Sequence, residues 1–298
     1  MSPLSFWVSA IAGSLFSTTT FALNLPQYTG LKTAQNGSIL EVTLHNANSA
    51  INLWDQDTQN DMTDLVQRLQ VDNETKAVVF KSDVPRFFCA HVDLLIPDIQ
   101  TIGDRFSALM WNVSNLPQVT IGAVEGRARG AGNEFLMALD MRFATKQESF
   151  FGQIETATGL APGGAGGQML AQTIGRGLAM EYVLSGKDIN AADAERVGWI
   201  NKAFDNADDM YAHINELTTR FGFFPRGALI AAKNGINSFS RPPRQNYLDD
   251  AAGFASRLVD PLVPQLMARS LALTNNLTLG EMELNLGREL IKLYTSGN

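Results

Sequence analysis

Two glutamates set among glycines are the residues best suited to chemistry in this chain. Glu134 lies in GRARGAGNE (126–134), in the first turn of a helix that this segment opens. Glu155 lies in FFGQIE (150–155), ahead of a second glycine-rich loop, GLAPGGAGG (159–167). A pair of carboxylates facing one pocket can act as base and acid on a water and a carbon. Each also has a plain structural reading: an acid in a first helical turn is ordinary N-terminal electrostatics, and Glu155 can be a solvated loop residue. Two turns can supply an electrophilic partner. RFFCAHVDL (86–94) follows a strand, and its N–H groups can point outward and collect negative charge. In 126–134 the helix N-terminus offers unpaired N–H groups, and Gly130, Ala131 and Gly132 let a ligand approach them. Donors from two such turns can hold an oxyanion, for example an enolate beside a thioester or ketone carbonyl. Taken singly, both segments also read as ordinary tight turns.

The elements that must position these residues follow from periodicity. SILEVTL (38–44) alternates as a strand, and AVVF (77–80), VTIGAV (119–124) and MRFAT (141–145) read as further strands, with a short one near Phe150 and another in WINKAF (199–204). Helices are expected at 55–69, 101–115, 133–140, 168–175, 177–184 and 191–197. From about residue 207 the pattern is almost wholly helical, with a turn at Pro242-Pro243. This is an α/β chain with a helical tail.

Composition sets the outer limits. The chain has 298 residues, 45% hydrophobic and 18% charged, which excludes a disordered chain. A net charge of -7 argues against a free-standing nucleic-acid binder. The lone Cys89 precludes an intramolecular disulfide, and the scattered His45, His91 and His213 suggest no zinc cluster. Residues 1–22 are uncharged and apolar over 4–16, too short for a comfortable membrane span but suited to a secretory signal ending near Ala22. Sequons at Asn36, Asn73, Asn112 and Asn276 add weak support for that route.

Taken in order, these blocks resemble the crotonase family, the enoyl-CoA hydratases and isomerases. RFFCAHVDL resembles K-x-F-x-A-G-A-D-L, and AVEGRARGAGNEFLMALDMRFAT (123–145) resembles A-V-N-G-x-A-x-G-G-G-x-E-L-x-x-x-C-D-x-x-x-A. FGQIETATGLAPGGAGGQML (151–170) and GLAMEYVLSGKDINAADAERVGWINKAF (177–204) match the blocks that follow, so the resemblance covers about 38–235. It implies a crotonase-like spiral of ββα units over 23–205 and a helical oligomerisation region over 206–298, forming trimers or pairs of trimers. It also implies an oxyanion hole at the N–H groups of Val92 and Ala131, with Glu134 and Glu155 holding a water for addition across a conjugated C=C bond. No metal or redox cofactor is implied, and the substrate is a small acyl or carbonyl compound, with CoA thioesters the family's type. Arg86, Ala90, His91 and Gly130 fall on substrate-binding positions of the pattern.

The departures open other readings. His91 and Val92 replace the Gly-Ala of A-G-A-D, so His91 is either a new acid/base group or donor near the carbonyl, with an unperturbed pKa of about 6.5, or a histidine on the surface or behind the site. Arg127 and Arg129 either read an anionic substrate or pair on the surface. HNANSAIN (45–52) and LLIPD (94–98) carry no Lys or Arg, leaving Arg86 as the basic match for a CoA phosphate. A CoA-independent C–C bond hydrolase or double-bond isomerase, or a non-catalytic scaffold without converging carboxylates, are the alternatives. The family's usual compartments, cytoplasmic, mitochondrial or peroxisomal, stand against the secretory reading of residues 1–22.

Overall fold

The computed structural model describes residues 23–97 and 99–295. The expected leader, 1–22, lies outside them. In chain order the strands and helices are β1 (Leu31–Asn36), β2 (Ile39–Leu44), α1 (Gln56–Val71), β3 (Ala77–Ser82), β4 (Phe87–Cys89), α2 (Ile99–Ser114), β5 (Val119–Val124), β6 (Arg127–Arg129), α3 (Ala131–Ala138), β7 (Met141–Thr145) and β8 (Phe150–Gly152). After a 3-10 turn at Glu155–Thr158 come α4 (Gly166–Ile174), α5 (Arg176–Ser185), β9 (Ile189–Asn190), α6 (Ala191–Val197), β10 (Lys202–Phe204), α7 (Ala207–Phe223) and α8 (Arg226–Ser240). The chain then runs through α9 (Arg244–Leu258), α10 (Leu262–Leu273), α11 (Glu281–Leu284), α12 (Leu286–Glu289) and α13 (Lys292–Thr295). Among these described helices none is long and apolar enough to cross a membrane.

The spiral is visible in how strands are shared out. A six-stranded sheet runs β1-β2-β3-β5-β7-β10, and a four-stranded sheet runs β4-β6-β8-β9. Three successive units, β3-β4-α2, β5-β6-α3 and β7-β8-α4, each give their first strand to the large sheet and their second to the small one. Within the large sheet β2, β3, β5, β7 and β10 are parallel, with Val79 opposite Ile121 and Ile121 opposite Met141. Strands covered on both faces read as unbroken apolar runs, and every residue of β5 is buried.

Helix ends follow local chemistry. The Asp55 side chain accepts a hydrogen bond from the Thr58 N–H and starts α1. α3 begins at Ala131, two residues before the expected start, because Gly130 turns the chain at φ +48°. The core beneath it is aromatic. Trp54 meets Phe106 edge-on with ring centres 5.2 Å apart, and Phe80 meets Phe135 at 5.1 Å. Phe135 follows Glu134 on α3 and is fully buried, so its packing fixes the helix that carries the carboxylate. Truncating such a ring costs about 3–5 kcal/mol.

Arg127 and Arg129 depart from both sequence readings. They sit on β6, buried, rather than on the surface or in the substrate's path. Arg129 clamps Asp188 with two bonds of 2.8 and 2.7 Å, and its Nη1 donates to the Glu283 carbonyl at 2.7 Å. Arg127 donates from Nε to the Leu284 carbonyl and from Nη1 to Glu148. The two arginines thus tie the segment around 283–284 to the small sheet.

Candidate active site

The two turns meet. Gly132 packs so closely on β4 that a Cβ there would lie 2.2 Å from the Cys89 carbonyl oxygen. A Cβ on Gly130 would lie 3.5 Å from the His91 Cβ and 2.9 Å from Glu155 Oε1. Only glycine permits this approach, and it brings the 86–94 turn, the start of α3 and the 155 turn around one cavity.

Hydrogen bonding singles out two donors. Around Val92, the His91 carbonyl accepts from the Trp54 N–H (2.8 Å), the Asp93 N–H donates to the Trp54 carbonyl (3.0 Å), and the Val92 carbonyl lies 2.8 Å from His91 Nδ1. Among the described residues the Val92 N–H makes no such bond. Around Ala131, the Gly130 N–H donates to the Gly152 carbonyl and the Gly130 carbonyl accepts from Glu134. The Ala131 N–H, first of α3, is left open by helix geometry.

The cavity, about 70 Å³, is lined by His91, Val92, Gly130, Ala131, Glu134 and Glu155 on its polar side. That volume admits a handful of waters. Ile99, Ile102 and Phe106 of α2, with Leu160, Phe254, Leu286 and Leu290, make its apolar wall. Glu134 Oε1 accepts from the N–H groups of Gly164 (2.8 Å) and Gly166 (3.0 Å) at the start of α4. Glu155 Oε1 accepts from Gln153 Nε2 at 3.0 Å, while its buried Oε2 has no partner among the described residues. Gln153 is itself held by Asn133, which accepts from the Trp199 indole.

Burial pushes both carboxyls up. For Glu134 burial and then the charge of Glu155 outweigh the two N–H bonds, and its pKa lies well above the usual range. Burial lifts Glu155 to about 7, against the pull of its own backbone N–H, His91 and Gln153. Like charges so confined titrate as a pair, and near neutrality the pair retains a proton. Burial lowers the His91 pKa, but Glu283 beside Nε2 at 3.4 Å and the Val92 carbonyl more than compensate, so the net shift is upward. Burial pushes the Cys89 thiol up, which removes it as a thiolate nucleophile and leaves it a packing residue.

Of the sequence-selected residues, the cavity gathers Glu134, Glu155, Val92, Ala131, His91 and Gly130. Arg86 is not among its lining residues; held at φ +68°, it turns outward to Glu148 at 3.2 Å, half-exposed. Its guanidinium therefore lies outside this cavity, paired with Glu148. Ala90 is also absent from the lining: it is buried behind His91, with its N–H on the Ile51 and Asn52 carbonyls and its carbonyl on the Arg129 N–H. It supports the turn instead of touching the cavity.

The enoyl-CoA hydratase/isomerase family matches residues 34–257. This chain belongs to that family. It is 32% identical over 181 residues to the mitochondrial methylglutaconyl-CoA hydratase of Rattus norvegicus, covering 58% of this chain and 57% of that one. It is 30% identical over 182 residues to the short-chain-enoyl-CoA hydratase of Clostridium acetobutylicum, covering 59% and 69%. The match therefore spans little more than half the length of the rat relative. A solved structure from Streptomyces avermitilis assigned to the enoyl-CoA hydratases superposes with a TM-score of 0.84 at 35% identity, covering 90% of this chain and 98% of that one.

Within this family member, three groups escaped the sequence reading. Gln153 and the Gly164 and Gly166 N–H groups hold the carboxylates; the glycine run 163–167 was their one visible sign. Phe254, Ser270, Leu286 and Leu290 reach the cavity from the helical region assigned to oligomerisation. Glu283 reaches His91 from α11, a four-residue helix with no motif of its own.

Proposed function

We propose that this chain adds water across the C=C bond of an α,β-unsaturated acyl thioester. The observation that carries the reading is two buried carboxylates on one cavity beside the open N–H groups of Val92 and Ala131. The thioester oxygen would accept from those N–H groups. Water would give a proton to the ionised carboxylate as its oxygen bonds to the β carbon. The π electrons would pass to the carbonyl as an enolate, and the protonated carboxyl would return a proton to the α carbon. Protons and electrons balance within the pair, so the step calls for no metal or redox cofactor. Oxyanion donors of this kind are worth about 10²–10³ in rate each. The converging carboxylates also count against a non-catalytic scaffold.

A second reading is favoured by Arg86 pairing with Glu148 and by a cavity lining that, among the described residues, has no Lys or Arg. The substrate is then a carbonyl compound that does not need CoA's phosphates, and isomerisation or C–C cleavage through the same enolate competes with hydration. One panel separates the two: crotonyl-CoA and longer enoyl-CoA esters against the same acyl groups on N-acetylcysteamine. Saturable turnover of the CoA esters, lost on the short carrier, supports the first; equal or better turnover of the short-carrier esters supports the second. Failure of all members removes both thioester readings. Self-association as a trimer or pair of trimers is proposed as well, supported by Phe223, Ile236 and Phe239 lying exposed on α7 and α8; light scattering of the purified chain reads it directly.

A further inference from the structure

Glu283 is an expensive residue to keep. It is fully buried, its Oε2 has no hydrogen-bond partner among the described residues, and its Oε1 faces His91 Nε2 at 3.4 Å. A buried carboxylate so sparsely satisfied destabilises the fold unless something is gained from it. Its backbone is not free to move away, because the carbonyls of Glu283 and Leu284 accept from Arg129 and Arg127.

The hydrogen bonds of His91 define what that gain is. The Val92 carbonyl can only accept, so Nδ1, 2.8 Å away, must carry a proton. With Nδ1 engaged by that carbonyl, Nε2 faces Glu283 Oε1 at 3.4 Å. Both ring nitrogens are thereby occupied, and neither is left to donate to a substrate. His91 therefore acts on its neighbour. It fixes the Val92 carbonyl, the last of the backbone groups flanking the Val92 N–H to be held, the other two being held by Trp54.

We propose that Glu283 and His91 are a positioning pair that aims the Val92 N–H at the substrate oxygen. The reach runs from β6, whose arginines seat α11, through Glu283 and His91 to the turn. The inference rests on the hydratase reading for its kinetic consequence, though not for the hydrogen bonds themselves.

The test uses the full chain and two readouts. In ¹⁵N spectra of the wild type, the His91 Nδ1 is expected to be protonated, and H91A and E283A should both shift the Val92 amide resonance. In steady-state hydration of the best thioester from the panel, H91A and E283A should lower kcat about tenfold or more, a part of what losing a donor outright costs, with KM within about twofold. H91N, whose carboxamide reaches the same carbonyl, and E283Q, which keeps a partner for Nε2, should recover much of that kcat. An unchanged Val92 resonance in E283A, or kcat unchanged in folded H91A, overturns the pair. If the wild type hydrates no thioester, the hydratase reading falls, and the Val92 resonance alone decides the pair.

Discussion

Two buried charge clusters flank Gly130 and are built on opposite plans. On one side, Arg127 and Arg129 spend their N–H groups on Asp188, Glu148 and the carbonyls of 283–284. On the other, Glu134 and Glu155 line one cavity, and among the described residues no cation is bonded to either and Glu155 Oε2 has no partner. The first cluster is satisfied and pins structure. The second is under-satisfied, and burial raises the pKa of both its carboxyls. Perturbed, poorly compensated carboxyls gather where chemistry is done, and here the contrast is drawn within a few residues of one turn.

Breaking the satisfied cluster should cost the most. R129A leaves Asp188 unpaired and frees the Glu283 carbonyl, and a loss of about 3–5 kcal/mol in unfolding free energy is expected, read from a denaturant midpoint. Breaking the under-satisfied cluster should spare the fold and stop the chemistry. E134Q and E155Q are each expected to lower kcat by at least about 10²-fold, with the denaturant midpoint at pH 7 no lower than that of the wild type; unchanged turnover in both would remove the acid–base assignment.

Stability against pH sharpens the comparison. Glu155 rises from 4.5 in the unfolded chain to about 7 when folded. The folded state then holds a proton that the unfolded chain has released, so this contribution is fully present below about pH 4.5 and is lost as pH rises through about 7. E155Q lacks that loss. It should match the wild type near pH 4 and exceed it by roughly 1–3 kcal/mol at about pH 8, and parallel curves for the two proteins would contradict the burial argument. The smallest effect belongs to the surface: R86A removes a half-exposed pair worth less than about 1 kcal/mol, and KM for the accepted thioester should stay within about twofold.

Most of the large sheet could be read because its strands are apolar runs or clean alternations, as at 77–82 and 119–124. β4 and β6 could not. Each is three residues long, and both lie in stretches whose glycines and charges read as turn. Burying Arg127 and Arg129 there was equally hidden, since a buried arginine is defined by partners that lie far along the chain, at 188 and 283–284. The two cavity glutamates, Glu134 and Glu155, were legible through their blocks, whereas the outward turn of Arg86 was not, because a basic residue at a matching position says nothing of its partner Glu148. The apolar wall was illegible for a different reason: helical periodicity in 244–290 marks a buried stripe without saying that part of it borders a cavity.

That wall has a consequence for how substrate choice can drift or be redesigned. The polar lining residues occupy 91–155, while Phe254, Ser270, Leu286 and Leu290 line the same cavity from the helical region. Part of the wall, Ile99, Ile102 and Phe106, shares the stretch that carries the carboxylates, but the part from the helical region lies on a separate stretch of chain. A library confined to 254 and 286–290 would retailor which acyl group is admitted without touching the proton path, with one restriction: Glu283 and the carbonyls beside it belong to the scaffold and must be left in place.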